Sequence, residues 1–202
     1  MARNRESLFK QSRRAGQILD ITPKTAKMKR TTPPGQHGAA RKKLSEYAIQ
    51  LAEKQKVRRT YGLMEKQFRR TYDRAVRKPG VTGTILLQLL ESRLDNVLYR
   101  SGLISSRPQG RQMICHGHVE VNGHKVDIAS YQVKPGDFIT VREKSRAIFK
   151  NLRELSPHAA PTPPHWMDVD ADNLVAKVKA IPEREDIDAT INEALIIEFY
   201  SR

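Results

Sequence analysis

Residues 105–128 read SSRPQGRQMICHGHVEVNGHKVDI. Ser106 is a good helix N-cap, Gln109 three residues on completes a capping box, and Pro108 suits a first helical turn. The spacing predicts a short helix that carries Arg107 and Arg111 and ends near His116-Gly117. HVEV (118–121) then alternates as a strand does. Asn122-Gly123 is a two-residue hairpin signal, and HKV (124–126) begins the return strand. Pro135-Gly136 marks another turn before the strand DFITVRE (137–143). This stretch therefore predicts a small helix-plus-hairpin module with a basic face.

Upstream of the module the pattern turns helical. Ser45 can cap a helix over Glu46–Tyr61, which Gly62 stops. Tyr47, Ile49, Leu51 and Val57 give it an incomplete apolar stripe, and Lys54, Lys56, Arg58 and Arg59 occupy its other faces. A second helix over residues 64–77 ends before Lys78-Pro79-Gly80 and presents Lys66, Arg69, Arg70, Arg74 and Arg77. Tyr61, Phe68 and Tyr72 interleave with these cations. Aromatic faces beside cations suit RNA sugars and bases, although at helical spacing such rings more often pack inside. Thr84 opens the most apolar helical region, Ile85–Leu90, which continues through Leu94, Val97 and Leu98.

The two ends differ in kind. Residues 1–43 are basic and broken by Pro23, Pro33, Pro34, Gly35 and Gly38. They hold a short helix near Glu6–Ala15 and too little apolar side chain for a core of their own, so ordering against a partner is expected. Residues 156–166 (SPHAAPTPPHW) are a Pro-rich loop with Trp166 as an anchor. The last stretch, INEALIIEFYSR, offers Ile191, Leu195, Ile196, Ile197 and Phe199 for packing back on the helices. Residues 147–180 receive no function. The domain reading is thus a basic extension (1–43), a first helical part (44–90), the module (91–155) and a return segment (156–202).

The chain has 202 residues with 37 Lys and Arg against 22 Asp and Glu, a formal net charge of +15. Residues 1–80 hold 22 cations and 6 acids, 81–150 hold 10 and 6, and 151–202 hold 5 and 10. The excess sits in the first two-fifths. Such a block repels itself unless a polyanion neutralises it, and nucleic acid adds an entropy gain from released counterions. The apolar run 85–90 is too short to span a bilayer, and the N-terminus has no apolar h-region. One cysteine, Cys115, excludes an intramolecular disulfide and a multi-Cys zinc site. The expectation is a soluble intracellular protein with an anionic partner.

Catalytic chemistry is not evident. Cys115 lacks a visible base and oxyanion site, and reads as a small buried apolar residue. His116 and His118 read as structural or RNA-facing hydrogen-bonding groups. His37, in PPGQHG, is either a loop residue or an RNA contact. No phosphate-loop or dinucleotide fingerprint occurs. No cofactor, no metal and no enzymatic activity are expected.

Together PPGQHG (33–38), SEYAIQLAEKQKVRRTYGLMEKQF (45–68), LLQLLESRLDNVLYR (86–100), GRQMICHGHVEVNGHKV (110–126), KPGDFITVREKSR (134–146) and INEALIIEFYSR (191–202) resemble the ribosomal protein "S-four" family of the bacterial or plastid small subunit. The resemblance covers nearly the whole chain in order. The central part also resembles the RNA-binding module shared with some pseudouridine synthases and tyrosyl-tRNA synthetases.

The resemblance implies an α+β fold. A mainly helical domain carries an inserted small helix and β-hairpin RNA-binding module, after a basic, largely irregular N-terminal extension. It implies a primary binder of the 5′ domain of 16S-type rRNA that nucleates assembly of the subunit body and contributes to translational accuracy. Implied partners are small-subunit rRNA, the neighbouring ribosomal proteins "S-five" and, functionally, "S-twelve", and mRNA near its entry path. The implied place is the ribosome, in bacterial cytosol or plastid stroma, without a membrane.

Carried to this chain, the module's RNA face is Arg93, Arg100, Arg107, Arg111, Gln112, His116, His118, Asn122 and Lys125. Helical-domain contacts are Lys54, Lys56, Arg58, Arg59, Tyr61, Lys66, Gln67, Arg69 and Arg70. From the extension come Arg3, Arg13, Arg14, His37, Arg41, Lys42 and Lys43.

The chain departs from the family pattern in two places. Pro108-Gln109-Gly110 precedes the Arg111-Gln112 pair, and Gly110 is expected to loosen that helix by about 1 kcal/mol relative to Ala. The extension lacks the cysteines that hold a zinc ion in some relatives. Rival readings are an RNA-modifying enzyme built on the same module, a free-standing RNA chaperone, and an mRNA-binding translational repressor.

Overall fold

The computed structural model of the chain describes residues 6–19, 25, 27–30, 32–40, 43–155 and 162–202. Among them are eight α-helices and one five-stranded sheet, an α+β fold. The chain forms two compact units: residues 1–87 with 188–202, and residues 88–187. The second is inserted in the first.

The first unit is helical. It holds α1 (Leu8–Ala15), α2 (Glu46–Thr60), α3 (Glu65–Val76), the start of α4 (Thr82–Glu91) and α8 (Glu193–Ser201). Ser45 caps α2 as expected, its Oγ accepting from Ala48 N at 3.3 Å, and Gly62 takes the left-handed φ of 63° that ends the turn.

The inward face of α2 differs from the expected stripe. Tyr47 and Ile49 are exposed, whereas Gln50, Lys54, Val57 and the following Tyr61 are buried. The periodicity is helical, but two of the four are polar, so hydropathy does not reveal it. Their partners come from the other end of the chain. Gln50 Nε2 donates to Glu198 Oε2 at 3.0 Å, Asn192 N donates to Glu53 Oε1 at 2.9 Å, and Lys56 Nζ donates to Thr190 O at 2.6 Å. The terminal segment thus packs back on the helices, with Ile191 and Ile196 buried. Gly83 permits this: a Cβ there would lie 2.7 Å from Glu193 Cγ.

The second unit begins with the end of α4 and contains α5 (Leu94–Arg100), α6 (Arg107–Cys115), α7 (Arg146–Leu155) and the sheet. The apolar helical region that continues through Leu94, Val97 and Leu98 is two helices. Arg93 between them is extended, with ψ 137°. Segment 129–133 intervenes: Val133 N donates to Ser92 O at 2.8 Å and Leu94 N to Tyr131 O at 2.9 Å. These are backbone groups that a continuing helix would need for itself. The capping box of α6 also differs. The Ser106 side chain makes no cap bond, and Gln109 Oε1 accepts instead from Ser105 N at 3.0 Å and Ser105 Oγ at 2.8 Å.

The sheet is antiparallel in the order β2-β1-β3-β5-β4. Its strands are β1 (Val119–Val121), β2 (His124–Lys125), β3 (Phe138–Val141), β4 (Met167–Asp170) and β5 (Val175–Val178). The Asn122-Gly123 hairpin and β3 fall where the sequence puts them. Strands β4 and β5 and helix α7 occupy the stretch to which the sequence assigns no role. Asp170 closes the β4–β5 turn: hydrogen bonds from the backbone and side chain of Asn173 hold its pKa below the ordinary value. The core of this unit gathers Leu94, Leu98, Ile114, Val119, Ile139, Phe149 and Trp166. Trp166 thus packs in the core, while residues 156–161 of the expected Pro-rich loop lie outside the described residues.

Candidate nucleic-acid interface

A cation is most readily available to phosphate where it reaches solvent and no carboxylate of its own fold already holds it. This criterion divides the candidate residues.

In the first unit, Lys54 is 4 % exposed. Its Nζ donates to Glu65 Oε1 at 2.8 Å and lies 4.5 Å from the centre of the Phe199 ring. Lys56 pairs with Glu53 at 2.7 Å. Arg58 donates to Gln55 Oε1 at 2.8 Å and to Leu63 O at 3.1 Å. Arg59 faces Glu6 at 4.0 Å; burial, and then Arg14 and Arg58 nearby, lower its pKa against the opposing pull of Glu6. Tyr61 and Phe68 are core residues. Tyr61, carried to the RNA face by the resemblance, is 2% exposed and packs in the core.

Helix α3 is different. Phe68 and Ala75 are buried on one side, and Tyr72 meets the Tyr200 ring at 4.6 Å. On the opposite side Lys66, Arg70, Arg74 and Arg77 recur at helical spacing, and all are exposed. None has a carboxylate partner among the described residues. Arg69 is exposed and lies 5.5 Å from the Tyr200 ring centre. Gln67 Oε1 accepts from Met64 N at 3.4 Å. Arg74 and Arg77 are not among the residues the resemblance carries to the RNA face, yet their spacing from Lys66 and Arg70 is visible in the sequence.

In the second unit the four candidate arginines hold the module together. Arg93 grips Asp95 with two bonds, of 3.0 and 2.9 Å. Arg111 adds bonds of 3.1 and 2.7 Å to the same carboxylate. Arg100 binds Glu91 at 3.0 and 2.9 Å. Asn96 donates to that carboxylate at 2.6 Å and accepts from Arg107 at 2.8 Å. Arg107 is buried and lies 4.3 Å over the Tyr99 ring. Asp95 and Glu91 are themselves buried, so Arg93, Arg100 and Arg111 first offset two internal charges, while Arg107 bonds the neutral Asn96.

Asn122 is a turn clasp: its Nδ2 donates to Asp137 at 2.8 Å and its Oδ1 accepts from Phe138 N at 2.9 Å. His118 hydrogen-bonds Ser145 Oγ at 2.8 Å, and its ring lies 6.0 Å from that of His116. Gln112, His116 and Lys125 are exposed. Cys115 is also exposed, not the buried residue expected. It is the last residue of α6.

In the extension Arg13 donates to Thr32 O at 2.8 Å and Pro33 O at 3.3 Å, tying α1 to the PPGQHG loop. Arg14 pairs with Glu6. His37 and Lys43 are exposed. Arg3, Arg41 and Lys42 lie outside the described residues. Among the described residues no group of His, Cys, Asp and Glu is placed to hold a metal ion, and no helix is long and apolar enough to cross a membrane.

Comparison with known proteins places the chain among known families. A family model described as "Ribosomal protein S4/S9 N-terminal domain" matches residues 3–91, and one described as "S4 domain" matches residues 92–139. The chain is 51% identical to the small ribosomal subunit protein uS4 of Pelotomaculum thermopropionicum over 100% of both chains. The uS4 protein of Clostridioides difficile is also 51% identical over 100% of both. The uS4A protein of Symbiobacterium thermophilum is 55% identical over 87% of this chain and 84% of its own.

Proposed function

The chain belongs to the uS4 family of small ribosomal subunit proteins, and on that premise we propose that it is a structural, rRNA-binding constituent of the small ribosomal subunit. The observation that carries the reading is the exposed row Lys66, Arg70, Arg74 and Arg77, backed by the buried Phe68 and Ala75. A rigid helix presenting uncompensated cations at a fixed interval suits the phosphates of folded RNA. Counterion release supplies affinity, and the packed rear face supplies geometry.

In finer detail, the chain binds the 5′ domain of 16S-type rRNA, nucleates assembly of the subunit body, adjoins "S-five", and acts on decoding accuracy together with "S-twelve". It works inside the ribosome, in bacterial cytosol or plastid stroma. It acts by holding RNA and catalyses no reaction.

The test is sedimentation of the tagged chain with small subunits through a high-salt wash, alongside titration of small-subunit rRNA at several salt concentrations. Retention on the subunit and a steep fall of log affinity with log salt are expected. Loss of the chain in the wash, or a nearly flat slope, overturns the reading.

A further inference from the structure

Both family matches end by residue 139, yet the chain immediately beyond carries Lys144, Arg146 and Lys150. Lys144 belongs to the 3-10 turn Glu143–Ser145, and the other two to α7. The inner side of this segment is fixed by Phe149 at 0% and Ser145 at 5% exposure, while Lys144, Arg146 and Lys150 are all exposed. Arg146 and Lys150, four apart, share one face of the helix. None of the three has a carboxylate partner among the described residues. The acids on the same segment are Glu143 and Glu154, both exposed. The neighbouring Arg142 is already taken, its Nε 3.2 Å from Glu120 and its Nη1 donating to Gly117 O at 3.3 Å.

The row is joined to the module. Ser145, between Lys144 and Arg146, is the partner of His118, and Arg142 N donates to His118 O at 3.0 Å. Lys125 lies over Gly117, its Cε within 2.4 Å of where a Cβ would stand. The turn at 116–118 therefore has His116, His118 and Lys125 at its surface, with Lys144 and Arg146 flanking the residue bonded to it.

We propose that Lys144, Arg146 and Lys150 form a second RNA-backbone contact, extending the module's interface past the matched domain onto α7. This rests on the rRNA-binding reading above. The ligand is the phosphodiester chain of folded RNA, because Arg146 and Lys150 offer charge at helical spacing and Lys144 adds a third cation from the turn before them.

The experiment uses the full chain and a small-subunit rRNA transcript. The variant Lys144→Ala/Arg146→Ala/Lys150→Ala melts as the parent does, since all three side chains are exposed. Its slope of log affinity against log salt becomes shallower by about 2, three phosphate contacts each contributing about 0.7–0.9. The charge-preserving variant Lys144→Arg/Arg146→Lys/Lys150→Arg keeps the parental slope. A parental slope in the alanine variant overturns the second contact while leaving the rRNA-binding reading standing. A flat slope in the parent overturns that reading itself.

Discussion

Tyr200 Oη donates to Glu65 Oε1 at 2.8 Å, joining the last turn of α8 to the first residue of α3. Lys54 Nζ reaches the same oxygen at 2.8 Å. Burial pushes the Glu65 pKa up, but the hydrogen bonds from Lys54 and Tyr200 and the charges of Lys54 and Arg58 outweigh it, so the net shift is downward. Burial and then the Glu65 bond push the Tyr200 hydroxyl well above its ordinary value. The terminal segment is thus latched by a polar cluster, and its strength depends on pH.

Tyr200→Phe removes the latch bond and is expected to lower stability by about 0.5–1 kcal/mol at neutral pH, read by urea denaturation. The sign of the pH effect follows from the two shifts. The stability that Glu65 gains from its lowered pKa is present above the ordinary carboxylate range and is lost as pH falls through the folded value, so parent and variant converge in acid. The raised Tyr200 pKa contributes below about pH 10, the ordinary Tyr value, and is lost as pH rises beyond it. The parent therefore weakens in alkali more steeply than the variant. Parallel curves across the whole range would contradict the latch.

Gly110→Ala reverses the expectation from helix propensity. Propensity alone promises a gain of about 1 kcal/mol. The structure places a Cβ at Gly110 2.3 Å from Ile104 Cδ1 and 3.1 Å from Asp95 O. Ile104 is buried and has little room to yield, so the glycine is what lets α6 lie close on α5. A net loss of about 1–2 kcal/mol is expected in urea denaturation of the variant, as for other overpacked cores.

Asp95→Ala leaves Arg93 and Arg111 without the carboxylate they share. Asp95 is 2 % exposed, so two charges lose their counter-ion in a poorly hydrated site, and destabilisation of about 3–5 kcal/mol is expected by thermal melting. The same loss should loosen α6 against α5, visible as faster amide exchange at Ile114.

The start of α2 and the Asn122-Gly123 hairpin were legible because caps and turns are local chemistry, written in adjacent residues. The break at Arg93 was not, because segment 129–133 imposes it from across the unit. Strands β4 and β5 are four residues each, too short and too charged to stand out. The candidate interface divides in the same way. The concentration of positive charge can be counted in the sequence. Whether a given cation is free depends on tertiary partners: Arg111 meets Asp95 sixteen residues away, whereas Arg70 meets no carboxylate among the described residues. Lys54 and Lys66 are both helical lysines in a basic stretch, and only the fold tells them apart.

That contrast gives the sharpest test. Lys66→Ala/Arg70→Ala/Arg74→Ala/Arg77→Ala removes four exposed cations. It is expected to make the salt slope of rRNA binding shallower by about 3, with the melting curve little changed. Lys54→Ala removes one buried cation from Glu65 and the Phe199 ring. It is expected to destabilise the fold by about 1–3 kcal/mol while the folded fraction keeps the parental slope. Binding titrations over a salt series, paired with calorimetric melts, separate the two effects. If Lys54→Ala flattened the slope and the quadruple variant did not, the division between structural and RNA-facing cations would be wrong, because the buried lysine would then be the one meeting phosphate.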